Sequence, residues 1–359
     1  MMVPYSYLPQ QFADADDIWA KIRPIVAAGD FTLGREVELF EEEFAEFIGT
    51  RYAIGVGNGT DAITLSLKAL GIRGEVITTP FTFVATVAAI IHAGATPVFA
   101  DVRRDFNIDP AAIEAAITPR TEAILPVHWA GRACDMTTIK HIAAKHQLAV
   151  IEDCAHAHGS AWAGRRCGSW GDAGTFSLHP LKTLNVWGDG GIITTNYLGD
   201  ASKLRRLRNH GLVGRDFCHE FAHNSRLDTV QAVVARHGLA KIEQTIAARA
   251  AVAVNLDSAL GYDASKTSPW ATENHYLYSF LAERRNELAA HLVAAGIEAK
   301  VHYPVPVHLQ PAAEHLGHRR GAFPEAEYCA DHTISLPAHE FITNEQIAYM
   351  AETINGFRA

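Results

Sequence analysis

Three side chains able to do carbonyl chemistry follow one another between Ile151 and Gly191. Asp153 ends an apolar run that begins at Leu148, Ser177 ends a second short apolar run, and Lys182 comes five residues later. An amine placed near a carboxylate in an apolar setting is a nucleophile toward carbonyl carbon. A carboxylate at the end of a buried strand is costly without a cationic partner, so Asp153 calls for one. Hydroxyl and amide donors suit an anion, and Gly188-Asp189-Gly190-Gly191 permits a tight turn behind the lysine. A second anion-binding candidate is Gly57-Asn58-Gly59-Thr60, which follows the apolar run Ala53 to Val56 and opens a helix carrying Ile63, Leu67 and Leu70 on one face. Amide donors at such a turn are free, and the helix dipole adds partial positive charge. Read alone, Asn58 and Thr60 are helix caps. Asp61 must point away from any phosphate held there.

Together these residues suit pyridoxal phosphate, whose aldehyde takes a lysine amine, whose ring nitrogen takes a carboxylate and whose phosphate takes hydroxyl and amide donors. The runs E-D-x-A-x-A-H-G at 152–159, F-S-x-H-P-x-K at 176–182 and G-D-G-G at 188–191 resemble the DegT/DnrJ/EryC1/StrS sugar aminotransferases, of the fold-type I pyridoxal phosphate enzymes. The resemblance runs from about Phe31 to Ile354. It implies that Lys182 is the Schiff-base lysine, that Asp153 partners the pyridine nitrogen, and that Gly59, Thr60 and Ser177 serve the phosphate. Phe83 would cover the ring, with Phe81 as the alternative because this chain lacks one residue of the P-x-F-T-[FW] pattern. His156 stands where many members carry glutamine near the ring oxygen, and an imidazole there adds a protonation equilibrium near neutral pH. Asn224 matches an asparagine that reaches the phosphate in a neighbouring subunit, which implies a homodimer with shared active sites; Arg226 reads equally as a structural ion-pair residue. The H-Y-P-x-P-x-H-x-Q run at 302–310 marks His302, Tyr303 and His308 as candidate substrate contacts, or as structural residues of a proline-stiffened loop. Trp187 is placed with the substrate candidates.

The elements that must position these groups alternate between strand and helix periods from Glu75 to Thr195, which predicts an α/β fold: a large domain with a mostly parallel central sheet flanked by helices. Sites in such sheets lie beyond the strand carboxyl ends. A smaller α+β C-terminal domain is expected, with the large pyridoxal phosphate-binding domain at 1–240 and the small one at 241–359. Helices are expected at 14–28 and 284–296, one long helix at 230–251, strands at 276–280 and 298–303, and a closing helix at 346–354. The net charge of -9 gives no reason to expect nucleic acid. Five cysteines form no C-x-x-C pair and read as reduced thiols of a cytoplasmic protein. No signal peptide or membrane span is expected, and the nineteen histidines show no zinc spacing, so no metal is expected.

The resemblance implies an aminotransferase that moves an amino group from L-glutamate to a nucleotide-linked keto-sugar in amino-sugar biosynthesis. G-D-G-G resembles branches that aminate the sugar C3 more than the G-E-G-G of C4 enzymes. A ketocyclitol or keto-sugar acid is an alternative substrate. A sugar dehydratase of the same scaffold would carry histidine in place of Lys182, and a non-catalytic regulator would lack the lysine or add a basic DNA-binding module. No G-x-G-x-x-G supports a dehydrogenase.

Overall fold

The computed structural model describes residues 1–13, 15–262 and 268–358. Seven strands form the central sheet: β1 (Tyr52–Val56), β2 (Glu75–Thr78), β3 (Thr96–Phe99), β4 (Thr121–Ile124), β5 (Ala149–Asp153), β6 (Ala173–Ser177) and β7 (Gly191–Thr195). Their order is β1-β7-β6-β5-β4-β2-β3. Every pairing is parallel except those of β7, which runs antiparallel to both β1 and β6. The segment that carries Lys182 is therefore the connection between two antiparallel neighbours, and both its ends are held in the sheet.

The strands are nearly continuous apolar runs because both faces are covered. In chain order the helices around the sheet are α1 (Asp16–Ala28), α2 (Arg35–Ile48), α3 (Gly59–Ala69), α4 (Val84–Ala93), α5 (Met136–His146), α6 (Leu198–Leu207) and α7 (Thr229–Leu239). On one face Val37, Phe40, Phe44 and Ile48 of α2 pack with Ile139 and Ile142 of α5 and Ala232 and Ala235 of α7. Those α2 positions recur at helical spacing, and Gly49 ends the helix in the left-handed conformation. On the other face Ile63 and Leu67 of α3, Ile90 of α4 and Leu204 of α6 form a second core against Ile54, Val76, Ile151 and Ile193. Ile18, Ile22 and Ile25 of α1 cover Val233 and Val234 of α7.

A separate core belongs to the C-terminal region. Leu256 and Leu260 of α8 (Ile242–Leu260), Leu288 and Leu292 of α9 (Arg285–Ala294) and Met350 and Ile354 of α10 (Asn344–Arg358) pack on the antiparallel pair β8 (Tyr278–Leu281) and β9 (Thr333–Leu336). Ile242 and Ile246 at the start of α8 remain in the core under the sheet, so this helix joins the two regions. Val3 and Ile297 also belong to the small core.

Three expectations about elements change. The long helix at 230–251 is two, α7 and α8, separated at Ala240 and Lys241; Lys241 is non-helical at φ -113°, ψ 1°, just after Gly238, a residue that weakens a helix interior. The strand at 298–303 does not form: Lys300 makes an isolated bridge to Ser335, and Tyr303 adopts a left-handed φ of 55° directly before Pro304, which has no N–H to pair. The helix expected from residue 14 runs Asp16–Ala28, and residue 14 itself lies outside the described residues. Among the described residues no helix is long and apolar enough to cross a membrane.

Candidate active site

The carboxyl ends of β5 and β6, the N-termini of α3 and α4, and the loop after β6 enclose a cavity of about 380 Å³. Parallel pairing of β5 with β6 sets Asp153 beside Thr175, so the carboxylate emerges where the strands end. Asp153 is buried, and its two oxygens accept from different donors: Oδ2 from the Thr86 hydroxyl at 2.8 Å and Oδ1 from the Ala155 N–H at 3.1 Å. Thr86 lies in the first turn of α4 and is itself 2.9 Å from the Thr82 hydroxyl. Burial raises the Asp153 pKa; the Ala155 N–H, the Thr86 hydroxyl and then the Lys182 charge oppose it. This is a carboxylate with too little positive charge around it, the setting a protonated ring nitrogen would complete.

Lys182 lines the same cavity, and its Nζ lies 4.8 Å from the centroid of the Tyr276 ring. Burial lowers its pKa to about 8, with the Asp153 charge opposing. An amine of that pKa is partly unprotonated near neutral pH, as a nucleophile or proton carrier must be.

Gly59 and Thr60 start α3 at the cavity wall, facing Ser177. A Cβ at Gly59 would stand 2.8 Å from the Cβ of Ser177, and one at Gly191 would stand 2.4 Å from the Asn58 carbonyl oxygen. Only glycine lets the turn rest this closely on β6 and β7, and the first amides of α3 have no partner within the helix. Asn58 caps the helix by accepting from the Asp61 N–H at 2.8 Å. The Asp61 carboxylate is turned aside as expected, accepting from Ser225 Oγ at 2.6 Å and Asn58 Nδ2 at 3.1 Å.

Two aromatic residues that the sequence left as alternatives are separated by the fold. Phe81 is fully buried and stacks within Phe106 and Trp129, whereas Phe83 is 57% exposed and lines the cavity. His156 is buried with its ring 4.4 Å from that of Tyr276. Its Nδ1 accepts from the Ala130 N–H at 3.2 Å, which leaves the proton on Nε2, on the side of the Tyr303 hydroxyl at 3.5 Å. Burial, then the charges of Lys182 and His302, hold its pKa well below 6.5. The protonation equilibrium expected at this position is thereby moved out of the neutral range, and the imidazole is a fixed N–H donor. His302 also lines the cavity; its Nδ1 lies 2.9 Å from Ser335 Oγ, and burial with the Lys182 charge lowers its pKa to about 4.

The family profile described as the DegT/DnrJ/EryC1/StrS aminotransferase family matches residues 13–355. The chain belongs to that family. Aminotransferase chemistry and the pyridoxal phosphate-dependent fold-type I architecture come with membership. The DegT/DnrJ/EryC1/StrS chain is 39% identical to a pleiotropic regulatory protein of Geobacillus stearothermophilus over 99% of each chain. It is 39% identical to a UDP-N-acetyl-3-dehydro-alpha-D-glucosamine 3-aminotransferase of Acidithiobacillus ferrooxidans, covering 98% of this chain and 97% of that one. Among solved structures, S. venezuelae DesV in complex with a ketimine intermediate superposes with a TM-score of 0.96 at 37% identity, covering 99% of this chain and 98% of that chain.

Within this member of the family, Lys182, Asp153, Gly59, Thr60, Phe83, His156, Ser177, His302 and Tyr303 all border one cavity. Three sequence candidates do not. His308 is buried, with Nε2 3.0 Å from Glu327 and its ring against Phe323, so it fastens the proline-rich loop to the helix at Pro324–His332. Trp187 packs between Phe12 and Trp19 and is held by Gln231 through its backbone. Asn224 is exposed, in a bridge with Asn209, and does not line its own chain's cavity. Arg226 donates to Asn209 Oδ1 at 3.0 Å, a structural bond to a neutral partner. Thr86 and Tyr276 were missed: a threonine in an apolar helix and a tyrosine in an apparent strand carry no signal of their own. His128, Glu152 and Cys167 lie within metal-ligand reach of one another. The Glu152 carboxylate, however, accepts from His128 Nε2 at 3.0 Å and from the backbone N–H groups of Gly168, Trp170 and Gly171 at 2.8–2.9 Å. Its lone pairs are engaged in closing the loop between β5 and β6.

Proposed function

We propose that this aminotransferase moves the amino group of L-glutamate to the ketone of a nucleotide-linked sugar, at C3, as a homodimer with shared sites. The observation that carries the reading is the meeting of the Lys182 amine and the Asp153 carboxylate in one cavity. When bound, pyridoxal phosphate supplies an aldehyde for amine exchange and an electron-accepting ring. Gly59, Thr60 and Ser177 would hold its phosphate, Asp153 its ring nitrogen, His156 Nε2–H its ring oxygen and Phe83 one face of its ring. Lys182 Nζ would take the proton that leaves the α-carbon of the amino donor and, in the separate second half-reaction, deliver a proton to the sugar carbon that gains nitrogen, tasks suited to a pKa of about 8. The relative that aminates a 3-dehydro sugar supports C3, as does the G-D-G-G run. Asn224 is exposed and does not line its own cavity, which leaves it available to a second subunit. One relative bears a regulatory name, but the amine and carboxylate present here favour catalysis.

The test is the visible spectrum of the protein with pyridoxal phosphate, before and after L-glutamate, followed by a panel of nucleotide-linked 3-keto and 4-keto sugars. A long-wavelength band that glutamate removes and a 3-keto sugar restores is the expected outcome. A band that glutamate leaves unchanged would refute the donor, restoration by 4-keto sugars alone would refute C3, and no band at all would refute the role of Lys182.

A further inference from the structure

Residues 3–11 lie before the stretch matched by the family profile, yet they touch the lysine turn. The Tyr7 hydroxyl donates to the Lys182 carbonyl at 3.2 Å and lies 3.4 Å from that of Leu181. Gln11 exchanges hydrogen bonds with the Asn185 side-chain amide, at 2.9 and 3.3 Å. The two hydrogens of Asn185 Nδ2 are shared among Gln11 Oε1 and the carbonyls of Pro180 at 2.6 Å and Lys182 at 3.1 Å. The peptide plane after Lys182 is thus fixed by two side-chain donors, one belonging to the turn and one arriving from the other end of the chain. Because that plane sets the direction in which the lysine side chain leaves the backbone, its donors act on the position of Nζ.

Among the described residues, the other hydrogen bonds that tie this strap to the rest of the chain go to the small C-terminal region. Val3 pairs with the backbone of Gly296 and Glu298 at 2.9 and 3.0 Å. The Pro4 carbonyl accepts from His339 Nε2 at 3.1 Å, and the Tyr5 N–H donates to the Glu298 carboxylate at 3.0 Å. The buried Tyr7 ring lies 5.2 Å from that of His339 and 4.8 Å from the guanidinium carbon of Arg249, which pairs with Glu340 at 2.8 Å. Burial raises the Tyr7 pKa to about 12, so its oxygen keeps the proton it donates. A residue anchored in one region therefore reaches across to the backbone of the reacting amine in the other. A tyrosine serving packing alone needs no hydroxyl on two carbonyls of that one turn.

We propose that Tyr7 is a positioning residue for Lys182, and that the strap of residues 3–11 couples the orientation of this lysine to the small region. The proposal rests on the reading of Lys182 as the reacting amine. It separates Tyr7 from the residues that touch cofactor or substrate, because its effect passes through the Lys182 carbonyl.

The test is Tyr7→Phe in the full chain, which keeps the ring and removes the donor. In the cofactor-free protein, acylation of Lys182 by an amine-reactive ester is followed across pH by peptide mass spectrometry, with half-maximal labelling of the wild type expected near pH 8. In Tyr7→Phe that midpoint rises, because a loosened turn admits water to the amine and relieves its burial. In the holoenzyme kcat falls about three- to tenfold, the effect of one hydrogen bond, KM for L-glutamate stays at the wild-type value, and the unfolding midpoint falls only as far as the loss of one buried hydrogen bond requires. His339→Phe, which keeps the hydroxyl but cuts the tie to Pro4, gives a smaller change in the same direction. Should Tyr7→Phe leave the labelling midpoint and kcat unchanged, or lower only the unfolding midpoint, Tyr7 is a packing residue and the proposal fails. The labelling curve needs no cofactor, so it decides the coupling even if the holoenzyme proves not to transaminate and the functional reading fails separately.

Discussion

Glu152 and Asp153 are neighbours at the end of β5, but they enter two different regions. Glu152 turns into the core side of the sheet, where three backbone N–H groups and His128 saturate it. Asp153 turns into the cavity, where a hydroxyl and one amide are its direct hydrogen-bond donors. The first arrangement spends a charge on holding a loop closed; the second keeps a charge only partly compensated, at a standing cost that a cationic ring can remove. The chemistry of this fold is located by the difference in saturation between the two carboxylates, since burial and residue type are nearly the same.

The comparison predicts opposite mutational signatures on the two sides. The largest effect belongs to Lys182→Ala on the cavity side: transamination, followed by release of 2-oxoglutarate, drops on the order of 10⁴-fold or more, while far-UV circular dichroism stays native. Next comes the carboxylate pair itself. Glu152→Gln leaves donors facing an amide and destabilises the fold by roughly 3–5 kcal/mol in urea unfolding. Asp153→Asn lowers kcat by about 10²- to 10⁴-fold without that loss of stability. Its pH dependence follows from the sign of the shift. A carboxyl whose folded pKa is raised above its ordinary 3.8 contributes stability fully below that value and loses it as pH climbs through the folded pKa. With that contribution lost toward higher pH, Asp153 burdens the cofactor-free chain above the ordinary carboxyl range, and Asp153→Asn should unfold no earlier than wild type at pH 7. A variant that unfolds well before wild type at pH 7 would erase the distinction between the two faces. The smallest effect belongs to His156→Gln. Both side chains donate N–H and the imidazole is neutral across the working range, so kcat should change by less than about threefold and the acid limb of the pH profile should not move. A shifted acid limb would mean that His156 titrates after all.

The cavity side was the more legible in the sequence. Asp153, Ser177 and Lys182 stand at the ends of apolar runs or just beyond, and Gly59-Thr60 opens an amphipathic helix, so periodicity alone directs attention to them. The alternation from Glu75 to Thr195 likewise gave the layered sheet. What could not be read is what depends on long-range contact: whether Phe81 or Phe83 faces the cavity is decided by Phe106 and Trp129, and His308 finds its partner Glu327 only in three dimensions. The imidazole of His156 loses its titration through burial and the charges of Lys182 and His302, and its tautomer is set by Ala130, 26 residues away. Tyr7 gave no signal because its partner is a backbone carbonyl 175 residues on.

The two missing side chains at Gly59 and Gly191 have a consequence for ligand dimensions. With the first turn of α3 resting on β6 and β7, the turn at Gly59 and Thr60 is in direct contact with both ends of the hairpin that carries Lys182. Under the proposed function the site would be a gauge: the interval from the phosphate at Gly59 and Thr60 to the amine of Lys182 would be set by protein atoms before any ligand arrives, and a molecule would be accepted by its length as well as by its charge.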